Sequence, residues 1–202
     1  MSETTTAAAS AAETATLTPQ QLRRKEAAGE AIFPDGQDAS RPHVITVLVE
    51  NSIGALNRVA NLFSARGFSL ESVSVGPTAD PTLSRMTLVT TGNDRIIAQV
   101  MQQLGNLVDT LVVEDLTGEA YVERELCLVK VAADAETRPS LTNIADVFRG
   151  NIVNITTDSM TIEVTGPPTK INAFIGMMKE YDVGEVARSG RVAMRRNLVF
   201  EK

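Results

Sequence analysis

Cysteine and histidine each occur once in this 202-residue chain, as Cys127 and His43. A single cysteine closes no internal disulfide, so the fold is not a small disulfide-built secreted scaffold. One His and one Cys, unless they meet, also cannot assemble a His/Cys zinc site or a Ser-His-Asp or Cys-His couple. Cys127 lies in "ELCLVKV", a predicted strand with no base nearby in sequence, and is expected to be a buried structural thiol. No stretch approaches the roughly 20 apolar residues of a membrane helix, so no membrane partner is expected. Net positive charge is lacking too. The formal charge is −6, whereas a nucleic-acid backbone needs a basic face. The first twenty residues have neither the basic n-region and apolar core of a secretory signal nor the arginines of a transit peptide. The simplest compartment is the cytoplasm.

What the chain does have is an ordinary apolar fraction, 43%, enough to build a core. Residues 1–42 contribute little to it. They are rich in Ala, Thr, Glu and Ser, with Leu17, Leu22, Ile32 and Phe33 as sparse anchors. Such a segment cannot bury enough surface to offset its ordering entropy and is expected to be a disordered tail. From His43 the pattern becomes regular. "HVITVLVE" reads as a buried strand. Leu56, Val59, Ala60 and Phe63 follow at helical spacing, ended by Gly67. "FSLESVSV" and "LSRMTLVTT" are predicted strands around the loop "GPTADPT", where Pro77 and Pro81 cannot donate to a ladder. A helix capped by Asn93 or Asp94 carries Ile97, Val100, Met101 and Leu104 inward, and "VDTLVVEDL" closes the unit.

The order then recurs. "YVERELCLVKVAA" is a strand. Leu141, Ile144, Ala145 and Phe148 repeat the helical spacing, with Gly150 as the expected stop. "NIVNITT" and "SMTIEVTG" are strands. Pro167 or Pro168 opens a helix bearing Ile171, Phe174, Ile175 and Met178, and "VGEVARSGRVAM" reads as one last strand. The fold class is therefore α+β: two tandem ferredoxin-like βαββαβ domains, at 43–117 and 118–202, each an antiparallel sheet with two helices on one face. The other face of each sheet needs a partner or a polar surface. "RRK" at 23–25 and "MRR" at 194–196 read as solvated ends.

The most informative stretch is "ENSIGAL", the turn from the first strand into the first helix. It holds no group able to act as acid, base or nucleophile. Unpaired N–H groups and a partial positive charge at the helix start suit an anion. Gly54 lets a ligand approach the backbone, Asn51 and Ser52 are short and polar, and Ile53 and Leu56 are aliphatic. This describes a receptor for a small amino acid. The same strand order builds RNA-binding modules, which stack bases on aromatics of a central strand. "RMTLVTT" has no aromatic, and no nucleic-acid partner is expected. No catalytic residue, metal ligand set or cofactor motif is visible.

The stretch "VLVENSIGALNRVANLFSARGFSLESVSVGPTADPTLSRMTLVT" closely resembles the ACT domain of the small regulatory subunit family of acetolactate synthase (acetohydroxyacid synthase). "LVDTLVVEDLTGEAYVERELCLVKV" continues the match, and "FRGNIVNIT" and "EVARSGRVAMRR" are similar to that family's C-terminal domain. The resemblance spans residues 43–196 and implies a non-catalytic role in valine, leucine and isoleucine biosynthesis. It implies a partner, the large catalytic subunit, which carries thiamine diphosphate, Mg²⁺ and FAD, with no cofactor on this chain. It further implies a homodimer through the ACT domains, and feedback inhibition by a branched-chain amino acid, usually valine. The effector site falls on Asn51, Gly54, Ala55 and Leu56 of one protomer, beside Ser52 and Ile53. Ser69 and Leu70 come from the other protomer. Ser69 departs from the family's usual Asn and lacks its amide. Pro81, Thr82, Leu83, Ser84 and Arg85, on the long hairpin connection, are candidates for contact with the large subunit. The alternative is a free-standing amino-acid-binding ACT protein that regulates a different partner.

The missing apolar periodicity in residues 1–42 carries a prediction. Deleting them leaves thermal melting and self-association unchanged. A drop of several degrees in Tm would show that the segment packs on a domain.

Overall fold

The computed structural model describes residues 40–197, so the segment 1–39, and with it nearly all of the expected tail, lies outside the described residues. Strand β1 (Arg41–Glu50) begins two residues before the expected start and is followed by α1 (Ala55–Arg66), β2 (Ser72–Pro77), β3 (Leu83–Gly92), α2 (Asp94–Gly105) and β4 (Thr110–Asp115). These four strands form one antiparallel sheet in the order β2-β3-β1-β4. After a turn at Gly118, whose φ is 88°, the plan repeats. Strand β5 (Tyr121–Ala132), α3 (Arg138–Val147), β6 (Asn151–Ile155), β7 (Ser159–Gly166), α4 (Pro168–Met178) and β8 (Val183–Arg188) give a second sheet in the order β6-β7-β5-β8.

Alternation along the strands sets the two cores. Ile45, Val47 and Val49 of β1 and Met86 and Leu88 of β3 point to the helix side, against Val59 and Phe63 of α1 and Val100 and Leu104 of α2. The second core joins Cys127, Val129 and Val131 to Leu141, Ile171, Phe174 and Met178. Cys127 is fully buried, and burial pushes its thiol pKa up, the state of an inert structural cysteine. His43 is also buried. Its Nδ1 is 2.8 Å from Asp115 Oδ2, so β1 and β4 are tied at their ends.

Four sequence expectations need correction. First, "VGEVARSGRVAM" is not one strand. It breaks after Arg188, turns through Gly190 at φ 74°, and resumes as β9 (Val192–Arg195). Alternation runs through both pieces, so the pattern hides the break. Strand β9 pairs with the first residues of β5, Tyr121–Arg124. It lies over the outer face of the first sheet, where Ala193 is buried with Val44 and Leu116 and its N–H donates to Thr87 Oγ1 at 3.3 Å. Second, Arg195 is no solvated end: it reaches Glu119 at 3.1 Å and Glu114 at 3.7 Å. Third, Pro77 does sit in the ladder, as the last residue of edge strand β2 opposite Ser84, where a missing donor is tolerated.

The fourth concerns Gly150. The left-handed residue after α3 is Arg149, at φ 49°. Gly150 serves close approach instead: its N–H closes the helix on Ala145 O at 2.7 Å. A Cβ there would lie 2.8 Å from the Glu163 carbonyl and 2.9 Å from Val164 Cγ2. Gly67, by contrast, ends α1 as expected, at φ 68°. Two glycines therefore have opposite sensitivities. Gly150→Ala lowers stability by about 1–3 kcal/mol through overpacking. Gly176→Ala, on an exposed helical position with open space at Cβ, raises it by up to about 1 kcal/mol. Chemical denaturation of both variants checks the signs.

Candidate functional site

The turn after β1 is knitted to two neighbouring segments before α1 begins. Glu50 N–H donates to Asp109 O at 2.8 Å and Asn51 N–H to Thr82 O at 2.7 Å. The Asn51 side chain adds a bond from Nδ2 to Pro81 O at 3.1 Å. Central strand β1 is flanked by β3 and β4, so the chain entering β3 and the chain entering β4 both pass its C-terminal end. The 78–82 connection is itself a tight turn: Asp80 Oδ1 accepts from Thr82 N at 2.9 Å and Thr82 Oγ1 at 2.6 Å, and these bonds hold its pKa below the usual carboxylate range.

Gly54 occupies the N-cap of α1 at φ 90°, ψ −1°, with no side-chain cap bond and no acidic residue in the first turn. A glycine is required here because the left-handed backbone excludes a Cβ at little cost only for Gly. Ala55 N–H donates to Ser52 O at 3.3 Å, which leaves the Leu56 and Asn57 amides with neither an intrahelical acceptor nor a capping side-chain oxygen. Ile53 is fully exposed, Leu56 is half exposed, and Ala55 is buried in the core.

One feature of this turn was not anticipated from the sequence. Arg58, one helical turn after Gly54, folds back over the loop. Its Nε pairs with Asp109 Oδ2, and Nη2 donates to Ser52 Oγ at 3.2 Å. Ser52 Oγ in turn donates to Asp109 Oδ1 at 2.8 Å. Arg58 and Ser52 hold the Asp109 carboxyl below its ordinary pKa, and the bond to Asp109 raises that of Arg58. Nη1 lies 3.2 Å from where a Gly54 Cβ would sit. The helix start thus carries a guanidinium edge in addition to its amides, a pairing suited to a carboxylate. Arg58 shares the helical face of Gly54, which is a sequence signal. Asp109, 51 residues further on, gives none.

Asn51, Ser52, Ile53, Gly54, Ala55 and Leu56 are contiguous in space. Ser69 and Leu70 are not beside them. They follow Gly67 at the other end of α1, a helix of 12 residues, roughly 18 Å away at about 1.5 Å per residue. The Ser69 side chain is exposed and its carbonyl accepts from Thr90 Oγ1, while Leu70 packs on the first core. Strand β2 starts only at Ser72. Among the described residues no group of three or more His, Cys, Asp or Glu could hold a metal ion, and no helix is long and apolar enough to cross a membrane.

Comparison with known proteins places both halves. Residues 45–112 match the AHAS small subunit-like ACT domain, and residues 124–197 match a second family model, the small subunit of acetolactate synthase. The acetolactate synthase small subunit of Aquifex aeolicus is 46% identical over 163 residues, 80% of this chain and 85% of that one. The isozyme 3 small subunit of Escherichia coli is 43% identical over 154 residues, 76% of this chain and 94% of that one. The crystal structure of the small subunit from Thermotoga maritima superposes with a TM-score of 0.73 at 38% identity, covering 79% of this chain and 99% of that one. The chain therefore belongs to the acetolactate synthase small-subunit family, as a non-catalytic regulatory subunit of branched-chain amino-acid biosynthesis.

Proposed function

We propose that this subunit activates the large catalytic subunit and makes it sensitive to a branched-chain amino acid, with valine as the leading effector, through the turn at Asn51–Leu56. The observation that carries the reading is a helix start with open amides at Leu56 and Asn57 and an Arg58 edge folded over it, in a turn with no group that could do chemistry. The effector's carboxylate binds the amides after Gly54 and Arg58 Nη1. Its aliphatic group lies against Ile53 and Leu56, whose exposure in a single chain supports an occupant. The catalytic work, with thiamine diphosphate, Mg²⁺ and FAD, resides on the large subunit in the cytoplasm.

Residues 43–117 form the effector-binding and dimerising unit, and 118–202 the C-terminal domain. Ser69 and Leu70 join the site only from a second copy, because α1 holds them far from the turn of their own chain. Among the described residues edge strand β2 has no neighbour on its outer side, and it offers a route for two first sheets to associate. Pro81, Thr82, Leu83, Ser84 and Arg85 form the provisional contact with the large subunit. Asn51 links the two surfaces, since its main-chain and side-chain N–H groups hold the carbonyls of Thr82 and Pro81. A ligand at the turn can then bias the docking segment, provided its affinity differs between two states of the complex.

Leu56→Asp tests the site without straining Gly54. A carboxylate at the second helical position favours the helix but occupies and charges the effector's place. Losing two charge-assisted bonds at roughly 1.5–3 kcal/mol each weakens valine at least about a hundredfold. The variant therefore activates the large subunit yet resists valine, read as turnover with and without the amino acid beside a binding titration. Parent-like binding and inhibition would remove this turn as the receptor. Sedimentation of the full chain gives an independent reading: valine tightens self-association of the parent and leaves that of Leu56→Asp unchanged. A valine-insensitive monomer of the parent at high micromolar concentration would exclude a shared site.

A further inference from the structure

A second concavity lies away from the turn, between the first sheet and β9. Its volume is about 410 Å³, within the roughly 300–1,000 Å³ of small-molecule sites. Two cross-strand pairs form its floor, Ser74 opposite Thr87 and Gly76 opposite Arg85. Val192 and Met194 of β9 form the facing wall, and both are more than half exposed, so β9 presents apolar surface to an open cleft. Among the described residues Arg85 has no ion-pair partner, and no acidic residue lines the cleft. A Cβ at Gly76 would meet nothing within 4 Å, so the space opposite Arg85 is empty. Thr87 is 3% exposed and its Oγ1 already accepts from the Ala193 N–H, leaving its own proton to donate.

We propose that this cleft is a second ligand site, for a small aliphatic monocarboxylate, with Arg85 as the anion anchor and Val192 and Met194 as the apolar wall. A single guanidinium with neutral hydroxyls suits one negative charge, whereas a phosphate dianion calls for several cations or a nest of amides. An exposed ion pair alone is worth little. The apolar wall and the buried Thr87 hydroxyl are what make binding here exceed that of a free surface arginine. Of the segment Pro81–Arg85, Arg85 alone lines the cleft. The ligand touches both halves of the chain at once and holds β9 to the first sheet.

The test uses the full chain with ¹³C-labelled methionine methyl groups, Met194 being assigned by Met194→Leu, titrated with isovalerate and with uncharged isovaleramide. Isovalerate is expected to move the Met194 methyl resonance saturably in the millimolar range, and isovaleramide is not. Arg85→Gln weakens the isovalerate response at least tenfold. Gly76→Leu fills the space opposite Arg85 without backbone strain and abolishes it. In Leu56→Asp the response persists, because the turn at Gly54 is a separate site. The proposal is overturned by a non-saturating shift, by an equal response to the amide, by parent-like binding in both Arg85→Gln and Gly76→Leu, or by loss of the response in Leu56→Asp. The last outcome would mean that the signal is transmitted from the turn.

Discussion

A βαββαβ unit has helices for only one face of its sheet, and burial of the other face must come from elsewhere in the chain or from another molecule. In the first unit that cover is β9, a four-residue strand from the far end of the sequence. It reaches the first sheet because β5 is long enough to serve two partners in succession: Tyr121–Arg124 pairs with β9, and the remainder with β7 and β8. Ala193 then sits on Val44 and Leu116, the Ala193 N–H finds Thr87, and Arg195 is drawn between Glu114 and Glu119. The two units are therefore joined through their strands as well as through the Gly118 turn. Thr46 and Thr87, opposite one another on the outer face, are both nearly inaccessible. Polar side chains at these positions would suit a solvated sheet, and the buried Thr87 remains satisfied because its hydroxyl has the Ala193 amide as partner.

The same strand order that creates the uncovered face also creates the turn proposed as the receptor. With β1 in the centre, its C-terminal end emerges between the connections into β3 and β4. The backbone groups of Glu50 and Asn51, which would otherwise be left open beyond the ladder, bond to Asp109 and Thr82. The loop is thereby fixed before Gly54, and α1 begins with no side-chain cap and with its Leu56 and Asn57 amides open. A Ser or Asp at the N-cap would stabilise the helix by about 1 kcal/mol and would also fill the proposed anion site with its own oxygen. Gly54 forgoes that stabilisation, and Asp109 holds Arg58 over the opening from a different segment.

Much of this was legible in the sequence. The 0, 3, 4, 7 spacing located the four helices of the described residues, the alternation located most of the strands, and the Gly54 and Gly67 positions followed from backbone chemistry. What was not legible shares one physical origin, dependence on residues distant in sequence. Arg58 and Asp109 are 51 apart, and neither position is unusual within its own element. Gly150 reads in the sequence as a helix stop, and its N–H does close α3 on Ala145 O, but the sequence does not show why a glycine is needed there. The actual reason is the Glu163 carbonyl of β7 pressed against it, which leaves Arg149 to take the positive φ. The β8–β9 break is invisible because Val186 and Val192 continue one alternation while pairing with different parts of β5.

A regulatory subunit needs its sensing surface and its acting surface to be mechanically close, since a coupling free energy has to be expressed as a change in shape or order between them. In the proposed coupling the separation is a single residue. Asn51 belongs to the turn proposed to receive the anion, and both its N–H groups hold the connection that leads into β3. That connection is stiffened internally by Asp80, whose Oδ1 accepts from both Thr82 N and Thr82 Oγ1 and whose carbonyl accepts from Leu83 N–H, so a displacement of Asn51 would move a preformed turn as a body. A flexible 78–82 loop would absorb such a displacement. In that proposed coupling, the bonds around Asp80, which add little to the stability of an exposed turn, would carry a small movement at Asn51 on to Pro81 and Thr82.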